Sequence, residues 1–165
     1  MSEITIRTVT PDDLDAVTAV EAACFPPAEG ATRESFAQRI ARFPERFFVA
    51  CDGDAVIGLV NGCASQLPLI EDSMFETGGH DPNGINQMIF GLAVLPRYQR
   101  QGIGAALMQT MIAFARQTGM ATVVLTCKAQ KLNYYRKFGF ENRGISQSQH
   151  GGVVWYDMVL PLNTP

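Results

Sequence analysis

The chain predicts a layered α+β fold, a mixed, mostly antiparallel arrangement of six to seven strands flanked by about four helices, and three observations predict it. Short β-branched runs alternate with amphipathic helical stretches along its 165 residues. The apolar run ending at Leu95-Pro96 leads through a glycine-containing turn and a long helical pattern into a second apolar run, Ala121 to Cys127, which is the pattern of a parallel crossover. Asp52-Gly53-Asp54 between two further apolar runs marks a hairpin. A chain of this length buries a sizeable core, so residues 1–165 are read as one domain.

Residues Ile4 to Val9 alternate apolar and polar side chains, which suits a half-buried first strand. Thr10-Pro11-Asp12-Asp13 reads as a helix start, in which threonine caps, proline fills the first turn and two acids meet the positive end of the helix dipole. Leu14, Val17, Val20 and Ala23 share one helical face, and the helix stops before Pro26. Phe25-Pro26-Pro27-Ala28-Glu29-Gly30 is a rigid aromatic turn, and Thr32 opens a second amphipathic helix through Phe36, Ile40 and Phe43. Phe47 to Cys51 and Ala55 to Cys63 are the hairpin strands. From Pro68 to Gly84, Gly78, Gly79, Pro82 and Gly84 are too many breakers for a core element. The same loop carries Glu71, Asp72, Glu76 and Asp81, which suit either an ammonium ligand or plain solvation.

Asn86 to Leu95 is the fourth strand. The helix from Arg100 to about Thr118 buries Ile103, Leu107, Met111, Ile112 and Phe114, and Gly119 ends it. Ala121 to Cys127 is a strand buried on both faces, Lys131 to Lys137 a short helix, Phe138 to Arg143 the sixth strand and Val153 to Val159 the seventh.

Hydrophobic residues make up 47% and charged residues 18% of the chain, a globular balance. A net charge of −3 leaves no basic footprint for nucleic acid and tilts weakly toward a cationic small partner. Cys24, Cys51, Cys63 and Cys127 lie scattered in apolar runs, without the spacing of a zinc site or a disulfide framework, so they read as reduced core residues and no metal is expected. No apolar run approaches the roughly 18 residues of a membrane span, and Met1-Ser2-Glu3 lacks the basic start of a secretory signal. The expectation is a cytoplasmic protein without membrane contact, for which a homodimer stays open.

The chemistry centres on Leu92-Ala93-Val94-Leu95-Pro96-Arg97-Tyr98-Gln99-Arg100-Gln101-Gly102-Ile103-Gly104-Ala105. Pro96 ends the strand, a helix begins near Gln101, and the helix's first N–H groups have no intrahelical acceptor. Gly102 and Gly104 let a large ligand approach the backbone, and Arg97 and Arg100 add positive charge, so the turn reads as an anion site. Tight strand-to-helix packing is the plainer alternative for the glycines. A nucleoside triphosphatase loop would need Gly-Lys-Ser/Thr, and a dinucleotide fingerprint a small residue where Leu107 stands.

Gln99-x-x-Gly102-x-Gly104 after a Leu-Ala-Val strand resembles the acetyl-coenzyme-A loop of the GNAT superfamily of N-acetyltransferases. Asn133-Tyr134-Tyr135-Arg136-Lys137-Phe138-Gly139-Phe140-Glu141 resembles that superfamily's helix-turn-strand segment, Tyr-x-x-x-Gly-Phe, at the usual distance. Glu21-x-x-Cys24-Phe25-Pro26-Pro27 followed by Phe43-Pro44-Glu45 resembles one branch, the arylalkylamine and polyamine N-acetyltransferases. The resemblance implies a central parallel strand pair splayed at its carboxyl ends, acetyl-coenzyme A as cosubstrate, and the primary amine of a small molecule as acceptor. By the same resemblance, the stretch Leu92, Ala93 and Val94 takes the pantetheine arm. Gln99 opens the loop motif, and the N–H groups of Arg100, Gln101, Gly102, Ile103, Gly104 and Ala105 take the pyrophosphate. Val94 N–H becomes an oxyanion donor, Phe25 and Pro26 line the amine pocket, and Tyr135 is the general acid.

An alkylamine attacks as the free base, and with an ordinary pKa near 10.4 only about 1 molecule in 2,500 is neutral at pH 7. Something must remove the proton. The resemblance to vertebrate arylalkylamine enzymes would put histidines at positions 90 and 88, but Phe90 and Met88 stand there. Glu29, Glu21 and His80 remain as alternative bases, and His150 is more readily a surface residue. Lys128 replaces an asparagine common in the superfamily, and Asn133 is the substitute contact to coenzyme A. A protein or peptide N-acetyltransferase and a non-catalytic coenzyme A sensor are the competing functions.

Overall fold

The computed structural model describes residues 3–77, 79–148 and 150–162; Met1, Ser2, Gly78 and the Glu76 side chain, used above, lie outside the described part. In chain order the elements are β1 (Ile4–Thr8), α1 (Leu14–Cys24), α2 (Arg33–Arg42), β2 (Phe47–Asp52), β3 (Ala55–Asn61), β4 (Ala64–Ser65), α3 (Ser73–Thr77), β5 (Asn86–Met88), β6 (Gly91–Val94), α4 (Ile103–Gln117), β7 (Thr122–Cys127), α5 (Leu132–Arg136), β8 (Glu141–Ile145) and β9 (Tyr156–Pro161). The expected α+β layering is present, with the strands divided between two sheets.

The helix starts form as their polar residues dictate. Asp13 accepts the Thr10 N–H at 2.8 Å and both Arg7 guanidinium nitrogens at 2.7 and 2.9 Å, which ties β1 to the turn Pro11–Asp13 ahead of α1. At α2, Thr32 Oγ1 accepts the Ser35 N–H at 3.1 Å, the capping bond that orphan first-turn donors require.

The chain forms two compact units, one of Met1–Gly62 with Gly91–Ala113 and one of Cys63–Phe90 with Phe114–Pro165. In the first, the sheet order is β1-β2-β3-β6, every pairing antiparallel. Val17 and Val20 of α1 and Phe36 and Ile40 of α2 meet Phe47, Val49, Leu59 and Ala93 of the sheet in one buried cluster. At Gly58 a side chain would come within 3.2 Å of Leu107 of α4 and 3.1 Å of the Ala93 carbonyl, so glycine there lets the helix sit close against β3.

In the second unit the order is β4-β5-β7-β9-β8. Among the described residues only β5 and β7 run parallel, pairing Asn86, Gln87 and Met88 with Thr122, Val123 and Val124. Val123, Val124, Leu125 and Met158 are buried along the middle of this sheet. At its margin β8 is exposed throughout, slips register between Asn142 and Ile145, and bends at Gly144 with φ 99°.

Three sequence expectations change. Asn86 to Leu95 is not one strand: β5 belongs to the five-stranded sheet and β6 to the four-stranded one. The buried Gln87 side chain contributes to the break, because its Nε2 donates to the Met88 carbonyl at 2.8 Å and binds with a side chain an acceptor that a continuous strand would use in its ladder. The strand from Ala55 ends at Asn61, and β4 follows as a separate piece. The breaker-rich loop contains α3, a single turn that buries Met74.

The Arg7–Asp13 contact sets the first expected outcome. The Arg7 hydrogen bonds hold the Asp13 carboxyl below its usual value of 3.8, so its contribution to stability is present above that pH and is lost as pH falls through the depressed folded value. Asp13→Asn should cost about 1–2 kcal/mol in urea unfolding at pH 7 and flatten the acid limb of the stability curve. An unchanged midpoint at pH 7 would rule the contact out as a stabilising one.

Candidate active site

Beyond β6 the backbone reverses through the turn Pro96–Tyr98, which the Tyr98 hydroxyl anchors by donating to Asp52 Oδ2 at 2.6 Å. Arg100 then adopts φ 64° and Gly102 φ 83°, left-handed values that alternate with ordinary ones and make the intervening N–H groups converge. For arginine that conformation costs about 1–2 kcal/mol. A side chain built on Gly102 would meet nothing within 4 Å, so the space in front of this turn is open. The first ladder bond of α4 runs from the Ala106 N–H to the Gly102 carbonyl, leaving the N–H groups of Ile103, Gly104 and Ala105 without acceptors inside the helix. Arg97, Gln99, Arg100, Gln101 and Gly102 are exposed around them. The whole is an anion cradle at the start of a 15-residue helix.

The strand that feeds this turn has its own spare donors. β6 is the terminal strand of its sheet, and the Leu95 N–H donates to the Ile57 carbonyl at 2.9 Å. Antiparallel pairs alternate between bonded and non-bonded, so with Ile57 and Leu95 bonded, Leu59 with Ala93 is bonded too. The pairs Gly58 with Val94 and Val60 with Leu92 are the non-bonded ones, and the Leu92 and Val94 N–H groups turn away from β3. The Val94 carbonyl is held by Gln99 Nε2 at 2.9 Å and by the Cys24 thiol at 3.3 Å, which fixes that peptide plane. Burial, and then the nearby Glu21, push the Cys24 thiol up, so it stays protonated and able to donate.

Of the sequence-predicted bases, Glu21 is the buried one, 5% exposed at the end of α1. Its Oε2 accepts the Ala31 N–H at 2.8 Å, joining α1 to the turn that carries Phe25 and Pro26. Phe25 packs on the core cluster, Pro26 is exposed, and the Pro26 carbonyl accepts the Glu29 and Gly30 N–H groups at 2.9 and 3.0 Å. Glu29 is half-buried in that turn. His80 sits in the other unit, its Nδ1 accepting the Ala64 N–H at 3.1 Å, which commits that lone pair to the loop.

Sequence reasoning passed over the neighbours of Glu21. The point where a side chain on Gly91 would begin lies 3.7 Å from Asn61 Nδ2 and 3.8 and 3.9 Å from the Glu21 carboxylate oxygens. Asn61 is 1% exposed, accepts from Arg39 at 2.9 Å, and its Nδ2 has no hydrogen-bond partner among the described residues. A carboxylate, an amide and a missing side chain thus border one small space. The signal was a lone asparagine ending the apolar run of β3.

In the other unit, Tyr135 lies on α5 with its ring edge-on to Tyr134 at 5.1 Å and to Phe140 at 6.0 Å. Desolvation, then Tyr134 and Cys127, raise its phenol well above the ordinary value, so at neutral pH it is an O–H donor. Burial likewise pushes the Cys127 thiol up to about 11. Asn133 Oδ1 accepts from Arg136 at 3.0 Å, and Lys128 Nζ lies 5.9 Å from the Trp155 ring centre.

Comparison with known proteins gives a family and a fold. The acetyltransferase (GNAT) family model matches residues 14–140. N-acetyltransferase 8B of Rattus norvegicus is 34% identical over 102 residues, 59% of this chain and 40% of that protein. Two other curated relatives are matched over 28% and 41% of their lengths, so the chain spans less than half of each. Among solved structures, the GphF GNAT-like decarboxylase in complex with isobutyryl-CoA superposes with a TM-score of 0.85 at 22% identity, covering 96% of this chain and 100% of that one. The ribosomal-protein-S18-alanine N-acetyltransferase from Escherichia coli gives 0.74 at 22% identity over 99% and 96%.

The raised phenol makes a second outcome testable. A protonated tyrosine favoured by the fold contributes stability that is complete below the ordinary value of about 10 and is lost as pH rises from there toward the raised folded value. The urea midpoint of the wild type should therefore fall more steeply above about pH 10 than that of Tyr135→Phe, and parallel curves would contradict the raised value.

Proposed function

We propose that this chain, which belongs to the acetyltransferase (GNAT) family, moves an acetyl group from acetyl-coenzyme A to the primary amine of a small arylalkylamine or polyamine. The observation that carries the reading is the anion cradle of Arg100 to Ala105 following a strand whose Leu92 and Val94 N–H groups are unused by its sheet. Coenzyme A presents a pyrophosphate and then an amide-bearing arm, and these residues offer donors in that order. The open space at Gly102 fits a group of that bulk. Acetyl-coenzyme A, when bound, would supply an acyl group activated as a thioester.

The remaining work falls to side chains. Glu21, fixed by Ala31 and bordering the space at Gly91, takes the ammonium proton, directly or through a water, so that the amine lone pair is freed. The new C–N bond forms as the C–S bond breaks, and the proton that the nitrogen sheds as the amide forms passes through water to the departing thiolate. Val94 N–H faces the developing negative charge on the carbonyl oxygen. Tyr135 donates to the departing thiolate. With its acidity lowered by burial, full proton transfer to a thiolate of ordinary pKa near 8.5 runs uphill, so a hydrogen bond is the larger part of its effect. Phe25 and Pro26 line the acceptor's path, while Asn133 contributes to cofactor binding.

Thiol release from acetyl-coenzyme A across a panel of arylalkylamines and polyamines tests the reading, and no release above background on any of them would end it. Gly102→Asp, which places a negative charge in the cradle, should weaken acetyl-coenzyme A in calorimetry at least tenfold; equal affinity would remove the cradle from the mechanism. Glu21→Gln should lower kcat/KM for the amine by about 10²-fold or more with coenzyme A affinity unchanged, and an unaltered kcat/KM would exclude it as the base.

A further inference from the structure

The first unit holds a buried donor with no partner, and it borders the same space as the carboxylate read above as the base. Asn61, the last residue of β3, is 1% exposed, and its Nδ2 has no hydrogen-bond partner among the described residues. Chemistry fixes which way this amide points. Its Oδ1 accepts from the buried Arg39 guanidinium at 2.9 Å, and a guanidinium has no lone pair to offer Nδ2. An interior N–H without an acceptor weakens a fold by about 1–3 kcal/mol, so Nδ2 calls for one.

Across the β3–β6 register Asn61 faces Gly91. Both positions share the sheet face of Leu59 and Ala93, which α1 and α2 cover. Beyond Gly91's own chain neighbours, the three atoms nearest the point where its side chain would start are Asn61 Nδ2 and the two Glu21 carboxylate oxygens, at 3.7, 3.8 and 3.9 Å. Glycine therefore omits a methyl group, close in volume to one water molecule, between a donor and a carboxylate.

Donor and acceptor counts decide what fits there. An ammonium presents only N–H groups and finds no acceptor in Nδ2. A water accepts from Nδ2, donates to Glu21 and keeps a second lone pair for an incoming ammonium. Distance points the same way. Val94, whose N–H is read above as the oxyanion donor, follows Gly91 by three residues, about 10 Å of extended strand. α1 runs alongside in the same sense, with Cys24 at the Val94 carbonyl and Glu21 at Gly91. An amine attacking a thioester held at Val94 thus meets this carboxylate more readily through a bridging water than by direct contact.

We propose that Asn61 is a positioning residue for acetyl transfer: oriented by Arg39, it holds a water over Gly91 through which the acceptor ammonium passes its proton to Glu21. The ammonium gives a proton to the water oxygen as the water gives one of its own to a Glu21 oxygen. The water is restored, the amine lone pair is freed and the carboxylate becomes a carboxylic acid, which then loses its proton to solvent. The proposal rests on the reading of Glu21 as the base in acetyl transfer.

Gly91→Ala fills the slot without crowding it, since contacts of 3.7 Å and more are ordinary and Gly91 is not left-handed. With the relay in place, kcat/KM for an alkylamine of ordinary pKa near 10.4 is level across neutral pH, because the ammonium itself is used. Without the relay the amine must arrive as the free base, so kcat/KM climbs about tenfold per pH unit toward that value. Gly91→Ala should lose about tenfold or more at pH 7 and recover toward the wild type near pH 10, and Asn61→Leu, which removes the donor, should do the same. A merely structural defect lowers kcat/KM by one factor at every pH. Curves for Gly91→Ala parallel to the wild type, or a high-resolution crystal structure of the wild type with no water bonded to Asn61 Nδ2, would overturn the proposal. Should Asn61→Leu fail to fold, those two measurements decide. Either negative result alongside thiol release by the wild type removes the relay and leaves acetyl transfer standing. A water in place without thiol release from any amine ends the acetyl-transfer reading instead, and the relay with it.

Discussion

The structure turns on where the amides of β6 go. An antiparallel strand spends every second pair of backbone groups on its neighbour and turns the others outward, and in β6 the outward set comprises Leu92 and Val94. Unused donors are tolerable at the margin of a sheet only if a ligand or water takes them. The next peptide, Val94–Leu95, is braced at its carbonyl by Gln99 and Cys24 and at its N–H by Ile57, so the backbone that follows the Val94 N–H is held by three separate parts of the chain: β3, the cradle and the end of α1. That bracing is a form of preorganisation, since a donor already aimed need not reorient when charge develops.

Each unit also buries polar groups at positions that an apolar core would fill more cheaply. In the first, Arg39, Asn61 and Glu21 are all nearly inaccessible, and Glu21 connects α1 to the turn after it. In the second, Asp157 and the serines of the β8–β9 connection do the same. Interior polar groups without full pairing weaken a fold by an amount comparable to a lost hydrogen bond each, about 1–3 kcal/mol. Such positions are where structure yields to function.

Much of this was legible from residue order, for identifiable reasons. Thr10, Pro11 and Asp13 announce a helix start by local chemistry, and the contacts of Asp13 and the capping bond at Thr32 are local as well. The cradle was readable because Pro96, Gly102 and Gly104 constrain the backbone wherever they stand. The break between β5 and β6 was not, since Asn86 to Leu95 is uniformly strand-like and the interruption depends on Gln87 reaching its own Met88 carbonyl and that of Cys63. α3 was hidden because one helical turn leaves no periodicity to detect. Asn61 and Gly91 come together across the β3–β6 register, 30 residues apart in sequence, and Asp157 acquires its setting from a connection that packs back on the sheet. Neither juxtaposition has a local signal.

The exposed strand β8 has a consequence for how the molecule behaves in concentrated solution. It carries Glu141 and Arg143, paired with one another at 2.9 Å, and bends where Gly144 takes φ 99°. A flat, uncharged margin would invite a second chain to add its own strand and start a ribbon of indefinite length. With its ladder out of step and an ion pair along it, β8 makes a poor template for such growth even though Ile145 is exposed.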